Sequence, residues 1–359
     1  MSTRVALSAV CATLAIAAAP LASPARATTG SWSATASMAT ARDNLTATTL
    51  SDGRVLVVGG VGQSTTELYD PAAGTWSPGA SLNEPRWLHA AVRLADGRVL
   101  VAGGGAYTAG AELYDPATNR WAPTGRMSVD RYDFTATLLR DGRVLVVGGF
   151  SGNGTGVQAS AELYDPATGR WTLTGSLRTP RRNHTATLLT NGMVLVAGGF
   201  GDGWRRDAEL YDPARGRWKR VAPMTTAREH ASATLLRDGR VLVAGGGNPS
   251  ATPSAELYDP ASDKWTATGS MTDYHGPAAA LLRDGRDLVA GGGQAGDVYS
   301  PATGTWSATG PMAYPLNGGS AVALLADGRV LNVGGSTLAR CTPKGCSSEP
   351  VATAELYTP

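Results

Sequence analysis

The segment from Asp133 to Trp171 decides the fold, and it reads DFTATLLRDGRVLVVGG, a variable loop, and SAELYDPATGRW. Asp141-Gly142 separates two apolar runs, which favours a β-hairpin because a type I′ turn requires positive φ at both central residues. Pro166 ends the next run, since proline cannot donate a hydrogen bond to a sheet. The segment therefore predicts four consecutive antiparallel strands, the last of which begins at Trp171.

This unit repeats along the chain. A glycine pair follows each second strand, and the pairs are spaced 43 to 50 residues apart, the period of a β-propeller blade. The pairs begin at Gly59, Gly103, Gly148, Gly198, Gly245, Gly291 and Gly334. We therefore predict an all-β, seven-bladed propeller over residues 28–359, with four antiparallel strands per blade. Because a fourth strand (around Trp32) comes first and a third strand (Tyr357) comes last, we expect the Trp32 strand to join the last blade and close the ring.

The N-terminal residues 1–27 have the pattern of a secretory signal peptide. Arg4 precedes an apolar run from Val5 to Ala19, and Ala25-Arg26-Ala27 matches an A-x-A cleavage site. A membrane anchor is the alternative, but the apolar run is short for a bilayer span. The sequence thus predicts cleavage near Ala27 and an extracellular, periplasmic or cell-surface protein. No later run has 18 apolar residues, so we expect no membrane span in the mature chain, which we also expect to be a monomer.

The net charge and the cysteine content indicate which classes of binding partner and which covalent links to expect. The whole chain has 31 Lys and Arg against 29 Asp and Glu, and removal of residues 1–27 takes away two arginines and leaves the totals equal. A neutral chain gives no electrostatic reason to bind nucleic acid. Cys341 and Cys346 are then the only cysteines, and in an exported protein their spacing predicts a loop disulfide. A metal site there would need further ligands, and no histidine follows Ser336.

The glycine pair after an apolar strand, with Tyr and Trp in the two following strands, resembles the kelch repeat. The variant Asp-Gly-Arg-Val-Leu-Val-x-Gly-Gly, as at Asp141 to Gly149, is similar to the propeller of galactose oxidase and its secreted bacterial relatives. The resemblance covers residues 28–359 and implies the propeller fold. It does not specify an activity, because kelch propellers have many functions.

Candidate binding residues precede the first strand of successive units, on the face opposite the Asp-Gly turns. If the ring closes, they surround the mouth of the central channel, where variable loops usually bind ligands. Arginine there could bind an anion, a sugar or an acidic peptide. Trp204 is a loop tryptophan outside the repeat that could stack on a sugar or cover the channel. The candidates are Arg42, Arg86, His89, Arg131, Tyr132, Arg182, His184, Trp204, Arg228, His230, Tyr274 and His275.

A structural alternative applies to the arginines and histidines. Each arginine could pair with the glutamate of a Glu-Leu-Tyr strand, and each histidine could cap backbone, because a residue present in every repeat usually serves the repeat. The repeated glutamates lie in different units and do not suggest a glycosidase pair. The sequence contains no compact catalytic triad, so we assign no catalytic residues, metal or cofactor.

Our leading interpretation is a non-enzymatic propeller that binds a glycan or a protein through its loop-rich face. The alternative is a copper-dependent carbohydrate oxidase. The resemblance to galactose oxidase implies a copper held by two tyrosines and two histidines, one tyrosine being cross-linked to a cysteine. Tyr274-His275 resembles the Tyr-His element of that site, and Tyr132 could stand for the second tyrosine, but no cysteine lies near Tyr132.

Overall fold

The computed structural model describes residues 29–105, 108–154, 156–273, 276–337, 340–342 and 345–359. The regular elements in these ranges are β-strands. None of the described segments is a helix with the length and hydrophobicity required to cross a bilayer. The predicted signal peptide lies outside the described residues and stays a prediction.

The strands follow one another in groups. Strand β1 is Ser31–Ala34. The first blade has β2 (Thr46–Thr49), β3 (Val55–Val58), β4 (Thr66–Asp70) and β5 (Thr75–Pro78). The second has β6 (Ala90–Arg93), β7 (Val99–Ala102), β8 (Ala111–Asp115) and β9 (Arg120–Thr124). The third has β10 (Thr135–Leu138), β11 (Val144–Val147), the loop hairpin β12 (Phe150–Ser151) and β13 (Gly156–Val157), then β14 (Ala161–Asp165) and β15 (Arg170–Leu173).

The fourth blade has β16 (Thr185–Leu188), β17 (Val194–Ala197), β18 (Ala208–Asp212) and β19 (Arg217–Val221). The fifth has β20 (Glu229–Leu235), β21 (Val241–Asn248), β22 (Ser250–Ala251), β23 (Ala255–Asp259) and β24 (Lys264–Thr268). The remaining strands are β25 (Ala278–Leu281), β26 (Asp287–Ala290), β27 (Gly293–Ser300), β28 (Thr305–Leu324), β29 (Val330–Thr337), β30 (Arg340–Thr342), β31 (Gly345–Ser347) and β32 (Ala354–Thr358).

The third blade shows why the repeat folds in this way. Gly142 adopts a φ of 85° in the hairpin turn, where a side chain would be strained. Every residue of β11 is buried, as its unbroken apolar sequence predicts. Tyr164 lies opposite Trp171 in the register, with ring centroids 5.0 Å apart, and the indole Nε1 donates to the carbonyl of Gly125 at 2.8 Å. The outer aromatic pair therefore fixes each blade to the segment that leads in from the blade before it.

The all-β kelch-type propeller is confirmed, but the prediction of seven blades is wrong. Within the described residues, five blades are separate sheets, and β1, β32, β29, β28, β27, β26 and β25 form one continuous seven-stranded sheet. The join is β28, a strand of 20 residues that pairs with β27 along its first part and with β29 along its second. Glycine pairs and turns set a sequence period, but they do not reveal that hydrogen bonding continues from one repeat into the next.

The hydrophobic core lies between neighbouring sheets and runs around the ring. Val55 and Val57 of the first blade pack against Leu331 and Val333 of the seven-stranded sheet. That sheet also packs on itself, since Leu288 and Val298 contact Val330 and Tyr357. Strand β1 pairs with β32 as expected, with Trp32 opposite Tyr357. The inner strands consequently converge on a central axis, and this arrangement positions the candidate site.

Candidate functional site

A cavity of about 310 Å³ opens where the inner strands converge, on the face opposite the Asp-Gly turns. We call it the mouth. Its wall includes one residue with positive φ, between 52° and 55°, from each separate blade. These residues, the αL ring, are Asn44, Leu88, Asp133, Asn183 and His230.

Backbone hydrogen bonds link the αL ring. The amide of each member donates to the carbonyl of the member in the preceding blade, for example Asp133 to Leu88 at 3.3 Å and Asn183 to Asp133 at 3.0 Å. The ring joins the seven-stranded sheet through the Asn44 amide, which donates to the Gly319 carbonyl at 2.8 Å. The left-handed conformation is costly for most residues, so it is tolerated here because the inter-blade bonds require it. These backbone hydrogen bonds therefore fix the position of the αL ring around the mouth.

Two positions before each αL residue is a buried arginine. Its Nη1 donates to the carbonyl of the first glycine in the same blade's glycine pair, at 2.8 to 2.9 Å. Its guanidinium also pairs with the glutamate of the Glu-Leu-Tyr strand at 2.8 to 3.3 Å. These repeat arginines are Arg42, Arg86, Arg131, Arg181 and Arg228. Four of them were candidate ligand residues, and the structure places all four in the structural arrangement that the sequence left open.

The candidate Arg182 was assigned to the repeat position in error. Arg181 occupies that position, with no exposed surface and a contact to Glu209, and its carbonyl accepts the amide of Gly149 from the preceding blade. Arg182 is the next residue and keeps 31% of its side-chain surface exposed. Adjacent arginines cannot be told apart by spacing alone when the linker length varies between repeats.

The described histidines divide into two kinds. His89 and His184 are buried, and their Nε2 atoms hydrogen-bond the hydroxyls of Thr46 and Thr135 in the preceding blades at 2.8 and 2.9 Å. Burial first, and then the positive charge of the neighbouring repeat arginine, lowers the pKa of each imidazole to about 3. Both rings are therefore neutral near pH 7 and hold blades together, although they border the mouth.

His230 differs because it occupies the αL position, one residue earlier in the pattern than His89 and His184. Half of its side chain is exposed, and its Nδ1 lies 3.8 Å from Glu229 Oε2. Among the three histidines that the structure describes, His230 is the one whose side chain a ligand can reach directly. Tyr274 and His275 lie outside the described residues, so their candidate roles stay predictions.

Between each repeat arginine and its αL residue lies one half-buried residue. We call these residues the rim, and they are Asp43, Trp87, Tyr132, Arg182 and Glu229. They hold equivalent positions in five blades, yet they include two acids, two aromatic residues and one base. A residue that the fold requires recurs in each repeat, as the arginines do. The variation at the rim therefore indicates that the fold does not require a particular side chain there.

Aromatic side chains surround Arg182 on the third and fourth blades. Its guanidinium carbon lies 5.4 Å from the ring centroid of Phe150 and 5.7 Å from that of Phe200. Phe200 also meets Trp204 edge to face at 5.5 Å, and Phe150 lies 5.4 Å from Tyr132. The candidates Tyr132, Arg182 and Trp204 therefore belong to one cluster, which we call the aromatic cluster together with Phe150 and Phe200.

Glu229 connects this cluster to the next blade. One carboxylate oxygen accepts the indole N–H of Trp204 at 3.0 Å, and the other accepts a hydrogen bond from the side-chain Nδ2 of Asn183 at 3.2 Å. The first bond holds the Trp204 side chain, which is 41% exposed, against the fifth blade. Trp204 is thus a fixed, partly exposed aromatic surface beside the mouth.

Asp133 is the acidic member of the αL ring. Its side chain is 10% exposed and lies 3.7 Å from the Arg182 guanidinium. Burial raises the pKa of its carboxyl group, while His230 and Arg182 lower it and Glu229 raises it further. The mouth therefore holds a desolvated carboxylate beside a base and an imidazole.

The sequence reasoning missed Asp133, Glu229, Phe150 and Phe200. Their positions in the repeat could have identified the two acids, because Asp133 lies two residues after Arg131 and Glu229 lies one residue after Arg228. The two phenylalanines directly follow glycine pairs, and β-bridges place them opposite Tyr132 and Arg182. Only the fold shows that these positions from different blades meet.

The described residues contain no group of three or more His, Cys, Asp or Glu side chains able to hold a metal ion. The Tyr132 ring packs against the Phe150 ring, with centroids 5.4 Å apart. The copper site of the oxidase alternative also depends on Tyr274 and His275, which lie outside the described residues, so that alternative stays a hypothesis. The backbone register places Cys341 opposite Cys346 in β30 and β31, and their disulfide stays a prediction.

Comparisons with known proteins agree with this fold. Residues 88–293 match the KLHDC2/KLHL20/DRC7 Kelch-repeats domain. A copper-bound fungal alcohol oxidase of the AA5 family, described as having catalytic diversity, superposes with a TM-score of 0.76 and 21% identity, over 92% of this chain and 76% of the oxidase. YjhT superposes with a TM-score of 0.61 and 14% identity, over 77% of this chain and all of YjhT. No curated protein matches the sequence. At these identities, the two solved structures show a shared fold and no more.

Proposed function

Because the chain belongs to the KLHDC2/KLHL20/DRC7 Kelch-repeats domain family, we propose that it is a binding module that holds a glycan or a protein at the mouth and rim. The observation that supports this proposal is the contrast between two adjacent positions. The repeat arginines are identical in five blades and buried, whereas the rim residues that follow them all differ and are half-buried. Concave sites with a few polar groups among aromatic walls are typical of ligand binding.

Binding would use the exposed groups and not the buried ones. Trp204 offers an aromatic surface, and His230 offers an imidazole at the mouth. A sugar ring or a peptide side chain could contact both, since aromatic side chains dominate many interfaces. His89 and His184 would support the site through blade packing only.

The test is a glycan array and a peptide array probed with the labelled protein. The double variant Trp204→Ala, His230→Ala should lose about ten-fold or more in apparent affinity for any captured ligand, because hot-spot truncations each cost roughly 1 kcal/mol or more. Its thermal midpoint should change little, because the two side chains are partly exposed.

The matched control removes two side chains from the opposite face, Arg143→Ala and Arg240→Ala. These are partly exposed partners of Asp141 and Asp238, so binding should be retained. Equal loss in both variants, or capture that survives the variant of Trp204 and His230, would reject the mouth and its surroundings as the binding surface.

We further propose that the protein acts outside the cytoplasm, as a monomer, after cleavage near Ala27. N-terminal sequencing of protein recovered from the culture medium or the periplasm, together with light scattering of that material, tests both statements. A retained N-terminus or a stable dimer would contradict the corresponding one.

A further inference from the structure

The described residues of the rim and the αL ring are more acidic than the arginines in the sequence suggest. The repeat arginines are 0 to 2% exposed, and each one contacts a buried glutamate of its own blade. Their positive charge is therefore neutralised inside the blades and does not face a ligand. His89 and His184 add none, because burial keeps both imidazoles neutral.

The charges that remain are those of the rim and the αL ring. Asp43, Asp133 and Glu229 carry carboxylates, and the guanidinium of Arg182 opposes them. Asp43 has no ion pair among the described residues, and Glu229 is hydrogen-bonded by the neutral donors of Trp204 and Asn183. Among the described residues of the rim and the αL ring, three carboxylates therefore stand against the Arg182 guanidinium and the His230 imidazole, which favours a cationic ligand over an anionic one.

Asp133 retains capacity for a further partner. It lines the cavity, its side chain is nine-tenths buried, and no described residue donates a hydrogen bond to its carboxylate. The contact with Arg182 at 3.7 Å is an ion pair longer than a hydrogen bond. A buried carboxylate in this state is stabilised by any cation that can donate to it.

The aromatic cluster already shows how a cation is accommodated. The Arg182 guanidinium lies near both Phe150 and Phe200, at distances within which aromatic faces attract cations. Trp204 continues this aromatic surface outward from Phe200. The protein's own arginine therefore occupies part of a site whose chemistry suits a basic group from another molecule.

We propose that the ligand is a protein partner whose arginine or lysine side chain enters the mouth, donates to Asp133 and packs against the aromatic cluster. This inference rests on the proposed binding function and specifies the class of its ligand. Arg182 then acts as an internal competitor that shares Asp133 with the incoming cation. A protein partner fits better than a free amine, because the exposed Trp204 and the half-buried rim continue the contact surface beyond one cation.

The test uses a peptide array in which the central residue of one fixed, uncharged peptide is Arg, Lys, Gln or Glu. Binding of the preferred peptide is then measured in solution at low ionic strength for the wild-type protein and for single variants. We expect Arg and Lys peptides to bind, Asp133→Asn to weaken them about ten-fold, and Arg182→Gln to strengthen them several-fold, since charge pairs and cation–π contacts have energies of this order.

Asp133→Asn should fold normally, because Asn44 and Asn183 are native at the same position of the αL ring with the same backbone conformation. Asp141→Asn is the matched control, since it removes one acid from the opposite face. It should leave peptide binding unchanged.

Preference for the Glu peptide, or a gain of binding in Asp133→Asn, would overturn the inference. So would capture of neutral glycans alone at the rim, although the proposed binding function would then stand. Failure of the double variant Trp204→Ala, His230→Ala to affect any captured ligand would reject the proposed function itself, so the two failures are distinguishable.

Discussion

The five separate blades and the seven-stranded sheet are built from one repeat but treat buried charge differently. In each separate blade, a repeat arginine neutralises the glutamate that precedes the Leu-Tyr pair. In the seven-stranded sheet, Glu355 accepts the amides of Ala313 and Tyr314, and Leu316 occupies the position where a blade has its arginine. Burial correspondingly raises the pKa of Glu355, and the two backbone amides offset part of that rise.

The two regions also differ along their second strands. The first residue of this strand is valine in each separate blade, but in β26 it is Asp287, which is 1% exposed with no hydrogen-bond partner for either carboxylate oxygen among the described residues. The third residue is also valine in the blades, but in β29 it is Asn332, whose buried Oδ1 is likewise unpartnered. The comparison teaches that the repeat tolerates buried polar groups without an ion pair or a hydrogen bond in the sheet where backbone hydrogen bonding continues between repeats through β28.

The largest expected effect comes from breaking an arginine–glutamate pair in a separate blade. Arg131→Met leaves the carboxylate of Glu162 buried without its counter-ion, and losses of about 3 to 5 kcal/mol in unfolding free energy are typical of such changes. Urea denaturation measures the loss. The double variant with Glu162→Gln should recover most of it, because no uncompensated charge remains.

The matched control for that prediction is Leu316→Met, at the equivalent position of the seven-stranded sheet. A volume-conserving apolar exchange there should cost less than about 1.5 kcal/mol. Equal losses of unfolding free energy in Arg131→Met and Leu316→Met would show that the arginine–glutamate ion pair does not distinguish the two regions.

The second effect is a gain of stability in the seven-stranded sheet. Burial raises the pKa of Asp287 to about 7 from an ordinary value of 3.8, and the nearby Thr234 hydroxyl offsets only part of this rise. Between these values the folded protein keeps the proton that the unfolded chain releases, so stability falls as pH rises. At about 1.4 kcal/mol per unit, the loss approaches roughly 4 kcal/mol above pH 7.

Asp287→Val should remove this penalty, since valine is the residue that the separate blades use at that position. Urea midpoints recorded from pH 4 to pH 8 should show the variant gaining on the wild type as the pH increases. A constant difference across that range would contradict an ionising Asp287, and a variant that is less stable at pH 8 would contradict its cost.

The smallest effect tests the same comparison without charge. Asn332→Val replaces a buried amide whose Oδ1 lacks a partner, and it should stabilise the protein by about 1 to 2 kcal/mol. Val101→Asn makes the reverse change in the second blade and should destabilise it. Thermal midpoints of the two variants, shifted in opposite directions, would support the comparison, and shifts of the same sign would not.

Much of the fold was predictable because the glycine pairs make the same backbone contact in most units. The second glycine of a pair donates to the carbonyl of the next blade's arginine, as Gly60 does to Arg86 at 2.9 Å, and the first lies so close to that carbonyl that a Cβ would meet it at 2.2 Å. Such steric requirements appear directly in the sequence. The continuity of β28 was not predictable, because it depends on hydrogen-bond register and not on any residue type.

The candidate site was predictable in place but not in chemistry. The sequence located Arg131, Tyr132 and Trp204 near the mouth, and it offered the glutamate pairing of Arg131 as one of two alternatives. It could not show which alternative holds, because burial depends on neighbouring blades. The burial and the charged neighbours of Asp133 arise only at the mouth, where segments about 45 residues apart in the chain meet.

The pairing of β1 with β32 also constrains how the molecule is assembled. The hydroxyl of Tyr357 donates to the carbonyl of Thr29, across 328 residues of chain. During synthesis, the earliest described strand must wait without a partner until the latest one has emerged. Partial chains should therefore present two unpaired strand borders at once, which makes them the most vulnerable species to proteolysis and intermolecular association.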